Sequence, residues 1–128
     1  MRIAFTSSDG RIVDEHFGRA STFQVWEVGP DRAELIGKVS ALTTAEDEED
    51  RIAARASAIA DCTIVYTMAI GGPAAAKLVS RRIHPMKTGV EVPVCELVER
   101  LQEVLRGRPP PWLRKAMGKA EPAASDRE

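Results

Sequence analysis

The sequence predicts an α/β layered fold with a mixed five-stranded sheet flanked by helices. The chain has 128 residues, a length that suits one domain with its own core. In its second half, short β-rich runs alternate with segments of helical periodicity, and strands separated by helices pair in parallel. Near the start, two strands are joined only by Gly29-Pro30-Asp31, and so short a connection requires an antiparallel hairpin. The two patterns together predict a mixed sheet.

Each predicted strand depends on a local pattern. The first, residues 2–7, is an apolar run that ends in a cluster of turn-forming residues. Aromatic and β-branched residues favour the other strands, which are predicted at residues 22–28, 33–39, 62–66 and 83–87. The segment 9–20 is polar and punctuated by glycine, and it is predicted to be irregular.

Three helices are predicted between and after these strands. The first follows the acidic run 46–50, with Thr43 or Thr44 as its cap, because carboxylates in a first turn complement the positive end of the helix dipole. A cation site is the alternative interpretation of the acidic run, and the helix start is favoured. The second and third helices begin near Pro73 and Pro93, where apolar residues recur at helical spacing.

The chain is predicted to divide into three segments. Residues 1–106 form the domain, and residues 107–118 form a proline spacer followed by a C-terminal helix that docks through Trp112. Residues 119–128 are small and charged, and they are predicted to be a disordered tail.

Composition excludes several classes of function. The chain has 18 Lys+Arg against 19 Asp+Glu, so it lacks the basic surface of a non-specific nucleic-acid binder. No apolar run approaches the roughly 20 residues of a spanning helix, and the N-terminus runs directly into a strand. Cys62 and Cys95 form no CxxC motif, which disfavours a structural zinc site or a disulfide framework. We expect a cytoplasmic protein with no nucleic-acid or membrane partner.

The candidate site lies where two parallel strands end. Ligands of open α/β sheets bind beyond the carboxyl ends of the strands. The first strand leads into the loop that holds His16, one of two histidines, and strand 62–66 leads into Met68 and the pair Gly71-Gly72. If the two strands are neighbours, His16 faces a glycine turn at a helix N-terminus, where free N–H groups favour an anion.

Other reactive side chains are placed less favourably. Cys62 and His84 begin their strands, so they belong to the opposite end of the sheet and are interpreted as structural. Cys95 suits the first turn of a helix, although it could approach the site. Met68 could be a thioether ligand or could fill the core.

Enzyme interpretations are disfavoured. Asp9, Asp14 and Glu15 suggest a magnesium-dependent nuclease, but all three come from one loop. A Cys–His nucleophilic pair would need contact between Cys62 and His16, which are predicted at opposite ends of the sheet. The turn IGGPAAAK lacks the spacing of a phosphate-binding loop. We therefore predict no catalytic residues.

Four stretches carry a family resemblance: VDEHFGRAS, CTIVYTMAIGGPAAAKLV, IHPMK and LVERLQEVLRGRPPPWLRK. In this order and spacing they resemble the NifX-like nitrogenase iron–molybdenum cofactor biosynthesis and carrier family, over roughly residues 1–117. The resemblance implies a ribonuclease H-like three-layer fold. It also implies binding of an iron–sulfur precursor of the iron–molybdenum cofactor, which passes from a donor synthase to an acceptor scaffold.

The resemblance implies that His16 is a direct metal ligand of this transient cargo. A permanent iron–sulfur site usually takes four thiolates, whereas one imidazole on a flexible loop allows release. The anionic cargo would then rest on the N–H groups of Gly71 and Gly72, with Arg19, Lys87 and Met68 nearby. Participation of Met68 or Cys95 as a ligand stays open. The alternative is a regulatory or protein-interaction domain of the same fold that binds a partner through the Trp112 region and binds no cluster.

Overall fold

The computed structural model describes residues 1–119 as an α/β fold with seven strands and four helices. The strands are β1 (Arg2–Thr6), β2 (Ile12–Val13), β3 (Thr22–Val28), β4 (Ala33–Ser40), β5 (Ile64–Thr67), β6 (His84–Lys87) and β7 (Val92–Pro93). The helices are α1 (Glu48–Ala58), α2 (Gly72–Ser80), α3 (Val94–Arg106) and α4 (Pro111–Lys119). None of the helices within residues 1–119 has both the length and the apolar character needed to cross a membrane.

The main sheet has five strands in the order β4-β3-β1-β5-β6. The pairs β1–β5 and β5–β6 are parallel, while β1–β3 and β3–β4 are antiparallel. In the parallel pair at the centre of the sheet, Ala4 lies opposite Val65. The prediction of a mixed five-stranded sheet is therefore confirmed.

Two apolar clusters cover the two faces of this sheet. Alternate residues of β1 divide between them: Ala4 packs in one cluster, and Ile3 and Phe5 pack in the other. The first cluster includes buried residues of α1 and α2, and the second includes those of α3 and α4. Because successive residues of a strand point to opposite faces, the apolar residues of β1 pack against helices on both sides of the sheet. The sheet therefore lies between two layers of helices.

The segment 9–20 is more ordered than predicted. Its residues Ile12 and Val13 form β2, which pairs antiparallel with β7, and Phe17–Arg19 form one turn of 3₁₀ helix. Two residues are too short a run to show alternation, and their partner strand lies far along the chain. Val13 is nonetheless fully buried, so the small second sheet extends the core beneath α3.

Helix α1 begins at the acidic run, as predicted, but with a different cap. The N-cap is Asp47, whose carboxylate accepts a hydrogen bond from the Asp50 N–H at 3.2 Å. Thr43, one of the two predicted caps, accepts instead from the N–H of Ala45 in the preceding turn. The prediction of Thr43 or Thr44 as the cap was therefore wrong, because either residue lies too far from the first helical turn.

Removing this cap should destabilise α1 measurably. We expect Asp47→Ala to lower the free energy of unfolding by about 1 kcal/mol, since one first-turn N–H loses its acceptor. Urea unfolding followed by circular dichroism measures this. Glu49→Gln is the matched control, because Glu49 supplies charge but no capping bond, and it should cost less than about 0.5 kcal/mol. Equal losses in both variants would contradict the capping role.

Helix α4 packs against the rest of the fold through Trp112, Leu113 and Met117. The Trp112 indole stacks on the His84 imidazole, with ring centres 3.9 Å apart and planes inclined by 15°. Leu113 is only 1% exposed and belongs to the cluster beneath α3. The helix begins at Pro111, the last residue of the proline run. The predicted division at residues 106 and 118 stays a prediction, and residues 120–128 of the predicted tail lie outside the described part of the chain.

Docking of α4 should depend on pH through His84. Burial lowers the pKa of His84, so a proton binds less readily to the docked state than to the undocked one. Protonation therefore favours undocking, and the docked helix should loosen as the pH falls below about 6.5. The NMR signal of the Trp112 indole N–H reports the change. His84→Phe keeps a stacking ring and should remove the pH dependence. Tighter docking in acid would mean that attraction between imidazolium and indole outweighs burial.

Candidate functional site

The loops that follow β1, β5 and β6 leave the sheet at the same edge, because these three strands are parallel neighbours. We call this edge the rim and define it as residues 14–19, 68–72 and 87–89. On it, His16 forms a parallel β-bridge with Ala69, the second residue after β5. The structure therefore brings the histidine loop alongside the segment that leads to Gly71.

The backbone on both sides of His16 is fixed by hydrogen bonds. The Phe17 N–H donates to the Ala69 carbonyl at 2.9 Å, and the Met68 N–H donates to the Glu15 carbonyl at 3.0 Å. The side chain of His16 is exposed and caps no helix N–H. The prediction of a flexible loop was therefore wrong: the backbone is held by the neighbouring strand end, and only the imidazole projects freely.

Two buried threonines, which we call the threonine clamp, also hold this backbone through hydrogen bonds. The hydroxyls of Thr6 and Thr67 lie 2.9 and 3.0 Å from the same Glu15 carbonyl oxygen, and 3.1 Å from each other. Both side chains are fully buried. Sequence reasoning missed them, although one signal was present: each of the two central parallel strands ends in threonine. The pair positions the carbonyl that precedes His16.

The residues after His16 fix the loop to the core and leave room for a ligand beside it. Phe17 is fully buried, and its ring lies 5.8 Å from that of Phe23. A Cβ atom at Gly18 would meet no atom within 4 Å. Arg19 is exposed and forms no ion pair within the part of the chain that the structure describes. The loop thus presents the His16 imidazole and the Arg19 guanidinium to solvent, while the buried ring of Phe17 holds the loop to the core.

The N-terminus of α2 faces solvent without a side-chain cap. Gly71 is the N-cap, and both Gly71 and Gly72 are exposed. Because Pro73 has no N–H, the donors of the first turn are those of Gly72 and Ala74. A Cβ atom at Gly72 would meet nothing within 4 Å, so this surface is open to a ligand. The helix dipole adds partial positive charge here.

A cavity of about 150 Å³ connects this helix end with the histidine loop and α1. Gly18, Gly71 and Ala74 line it from the histidine loop and α2, and Arg51, Arg55 and one acidic residue, Glu48, line it from α1. Since one water occupies about 30 Å³, the cavity has room for an anionic group of a ligand rather than a whole metal cluster. The predicted glycine turn is therefore accompanied by two arginines that sequence reasoning did not select.

Arg55 is the most constrained of these cations. It is 9% exposed, and its Nη2 donates to the Ala20 carbonyl at 3.4 Å. Its Nε–H is buried and has no hydrogen-bond partner among residues 1–119. Burial, and then the nearby charge of Arg51, lowers the pKa of Arg55. A signal was present in the sequence, because Arg55 interrupts the apolar stripe of α1 between Ile52 and Ile59.

The remaining predicted site residues are more dispersed. Met68 is half-buried and, among the described residues, is not packed into either core cluster. Lys87 is exposed at the end of β6 and lines a different cavity, on the α3 side of the sheet. Cys62 is fully buried in the cluster beneath α1 and α2, and Cys95 is exposed in the first turn of α3. The structure thus groups His16, Gly71 and Gly72 more closely than Lys87.

Two of the three loop carboxylates, those of Asp9 and Asp14, form hydrogen bonds within the loop itself. Asp9 accepts from the N–H groups of Arg11 and Ile12, and these hydrogen bonds lower the pKa of Asp9. Asp14 accepts from the N–H and the hydroxyl of Ser8. Within residues 1–119, no three His, Cys, Asp or Glu side chains are grouped so that they could hold a metal ion.

Comparison with known proteins assigns the chain to a family. The family model described as "Dinitrogenase iron-molybdenum cofactor" matches residues 1–104. The chain belongs to the dinitrogenase iron–molybdenum cofactor family. The predicted resemblance to a NifX-like family is thereby confirmed.

Relatives of this family include NifX and NifY proteins. NifY of Azotobacter vinelandii is 45% identical over 122 residues, which cover 95% of this chain and 50% of NifY, so the chain spans half the length of that relative. NifX of Herbaspirillum seropedicae is 39% identical over 123 residues, which cover 94% of this chain and 84% of NifX. A more distant relative, NifB of Bradyrhizobium diazoefficiens, is named an FeMo cofactor biosynthesis protein and is 28% identical over 130 residues, 86% of this chain and 25% of NifB.

A solved structure has the same fold. The crystal structure of PH0822 superposes with a TM-score of 0.58, covers 80% of this chain and 91% of PH0822, and is 24% identical. At this identity the similarity concerns the fold alone. It agrees with the mixed five-stranded sheet described above.

Proposed function

We propose that this protein binds an iron–sulfur precursor of the nitrogenase iron–molybdenum cofactor and passes it between cofactor assembly proteins. In this proposal the chain performs no catalytic turnover. The donor is a synthase and the acceptor is a scaffold. The observation that carries the proposal is the position of His16: an exposed imidazole on a fixed backbone, beside an uncapped helix N-terminus, in a chain of this family.

The chemistry of a carrier fits these residues. His16 would bind one iron of the cargo through a neutral imidazole nitrogen. An anionic face of the cargo would lie over Gly71 and Gly72 and direct an anionic group toward the cavity that Arg51 and Arg55 line. One protein ligand, rather than the four thiolates of a permanent cluster, leaves the cargo exchangeable.

Arg19, Met68 and Lys87 have secondary roles in this proposal. Arg19 lies in the same loop as His16, and its exposed guanidinium can neutralise charge on the cargo. Met68 supplies a polarisable surface next to the β-bridge. Lys87 would contact the cargo only at its periphery, because it lines the cavity on the α3 side.

The absence of turnover is part of the proposal. Asp9 and Asp14 are engaged in hydrogen bonds within the loop, and Cys62 is buried beneath α1 and α2. These groups therefore do not supply the nucleophile–base pair that catalysis would need. The ribonuclease H-like assignment of the fold belongs to the same proposal, and the cytoplasmic location stays a prediction.

Anaerobic loading tests the proposal. The protein is mixed with an iron–sulfur precursor of the cofactor under argon and separated by gel filtration, and iron is measured in the protein peak. We expect iron and the visible absorption of the cluster to elute with the chain. Elution of all iron with the small-molecule fraction would contradict the proposal.

One observation favours the alternative of a protein-interaction domain. Strand β4 forms an edge of the sheet and exposes two neighbouring large aliphatic side chains, Leu35 at 50% and Ile36 at 47%. An edge strand has unpaired backbone N–H and C=O groups, and exposed apolar side chains on it can add to a contact with a partner. If the chain binds an assembly protein through this edge but retains no iron, the alternative is the correct function.

A further inference from the structure

A second, larger cavity lies on the opposite face of the sheet from α1 and α2. Its volume is about 390 Å³, and it is enclosed by the end of β6, by α3 and by α4. This volume is within the range of small-molecule sites, which runs from about 300 to 1,000 Å³. Apolar side chains form most of its wall: Met86, Leu97, Leu101, Val104, Trp112 and Leu113. The cavity therefore suits a small ligand with an apolar body.

One polar group in the wall of this cavity is the hydroxyl of Tyr66. Tyr66 is 8% exposed, and its ring stacks on that of Phe5 with centres 5.3 Å apart. No residue within 1–119 forms a hydrogen bond with its hydroxyl, whose oxygen keeps contact with solvent and is therefore available to a ligand in the cavity. Burial raises the pKa of Tyr66, so the hydroxyl keeps its proton and acts as a donor at neutral pH.

Positive charge lines the same cavity. Arg100 of α3 and Lys87 of β6 both contribute to its wall, and no acidic residue of the described chain does. Arg100 also pairs with Glu96 one turn earlier on the solvent side of α3. Exposed pairs of this kind are weak, and a guanidinium has five N–H donors, so Arg100 can bind a second anion.

We propose that this cavity binds a small organic monocarboxylate with an aromatic or branched aliphatic body. The body packs among the leucines and Trp112, and the carboxylate accepts hydrogen bonds from the Tyr66 hydroxyl and from Arg100. Because Trp112 and Leu113 belong to α4, the ligand also fixes that helix to the sheet. The site is separate from the rim and does not depend on the proposed cargo.

An NMR titration of the whole chain tests the site. The ¹⁵N-labelled protein is titrated at pH 7 with 3-phenylpropionate and, separately, with 3-phenylpropionamide, which has the same body and no charge. We expect the acid to shift the indole N–H signal of Trp112 and to bind at least about tenfold more tightly than the amide, since a hydrogen bond to a charged group is stronger. Trp26, outside the cavity, is the internal reference.

Variants distinguish the cavity from general hydrophobic binding. Tyr66→Phe preserves the stacked ring and should weaken binding of the acid about tenfold. Arg100→Gln should bring the acid and the amide within about threefold of each other. Arg106→Gln changes an arginine of the same helix that pairs with Asp31 outside the cavity, and it should bind as the unchanged protein does. Equal binding of acid and amide by the unchanged protein, or no shift at Trp112, would overturn the proposal.

Discussion

His16→Ala is expected to reduce the iron retained after anaerobic loading by more than about tenfold while leaving the fold unchanged. Loss of groups that only support a metal ligand already costs 10- to 100-fold in metal affinity, and His16 is proposed as the ligand itself. Its side chain is exposed and caps no helix N–H, so the free energy of unfolding should change by less than about 0.5 kcal/mol.

Cys62→Ser is the matched comparison for this variant. Cys62 is fully buried and lies before β5, at the opposite end of the strand from the rim. A hydroxyl in that apolar position should cost about 1–3 kcal/mol of stability and leave iron binding unchanged. Cluster absorption measures binding, and urea unfolding measures stability. If His16→Ala binds iron normally and folded Cys62→Ser does not, the site has been assigned to the wrong end of the sheet.

Arg55→Met is expected to weaken cargo binding without lowering the stability of the unloaded protein. Arg55 holds a buried Nε–H without a partner, and burial lowers its pKa, so the unloaded protein bears a cost for this side chain. Methionine has a similar length and no polar group. We expect the unloaded variant to be at least as stable as the unchanged protein and to bind the cargo at least about tenfold more weakly, because an anion loses a partly desolvated cation.

Arg106→Met is the control for Arg55→Met. Arg106 is also a helical arginine, but it pairs with Asp31 at the surface, away from the rim. It should alter neither cargo binding nor stability by a measurable amount. Thermal unfolding and iron retention are recorded for both variants in parallel. A large loss of stability in Arg55→Met, with cargo binding intact in the folded fraction, would make Arg55 a structural residue.

The predictable part of the fold was the part encoded locally. Alternation of β-rich runs with helical segments, together with the short hairpin connection, was enough to predict the mixed sheet, whereas the adjacency of β1 and β5 entered only as a condition and is given by the structure. The strand β2 and its partner β7 escaped prediction, because two-residue strands have no periodicity and pair over a long separation. The cap of α1 was misplaced because Thr43, Thr44 and Asp47 all have suitable side chains, and only the helix start decides among them.

The site was predicted at the level of its loops rather than of its full chemistry. The strand-end rule places His16 and the glycine turn at the same edge, and the structure has them linked through Ala69. Arg55 could not be selected in the same way, because its proximity to Gly71 depends on how α1 packs against α2. The threonine clamp likewise arises from side chains that meet across two strands, Thr6 and Thr67.

Transfer of the cargo is the measurement that tests the carrier account most directly. The loaded protein is immobilised under argon and exposed to the unloaded acceptor scaffold, and the iron, the molybdenum and the visible spectrum of both fractions are recorded. The account predicts that iron leaves the immobilised chain and reaches the acceptor with the spectrum of the cargo unchanged. Iron that stays on the chain, or that arrives in a chemically converted cluster, would contradict it.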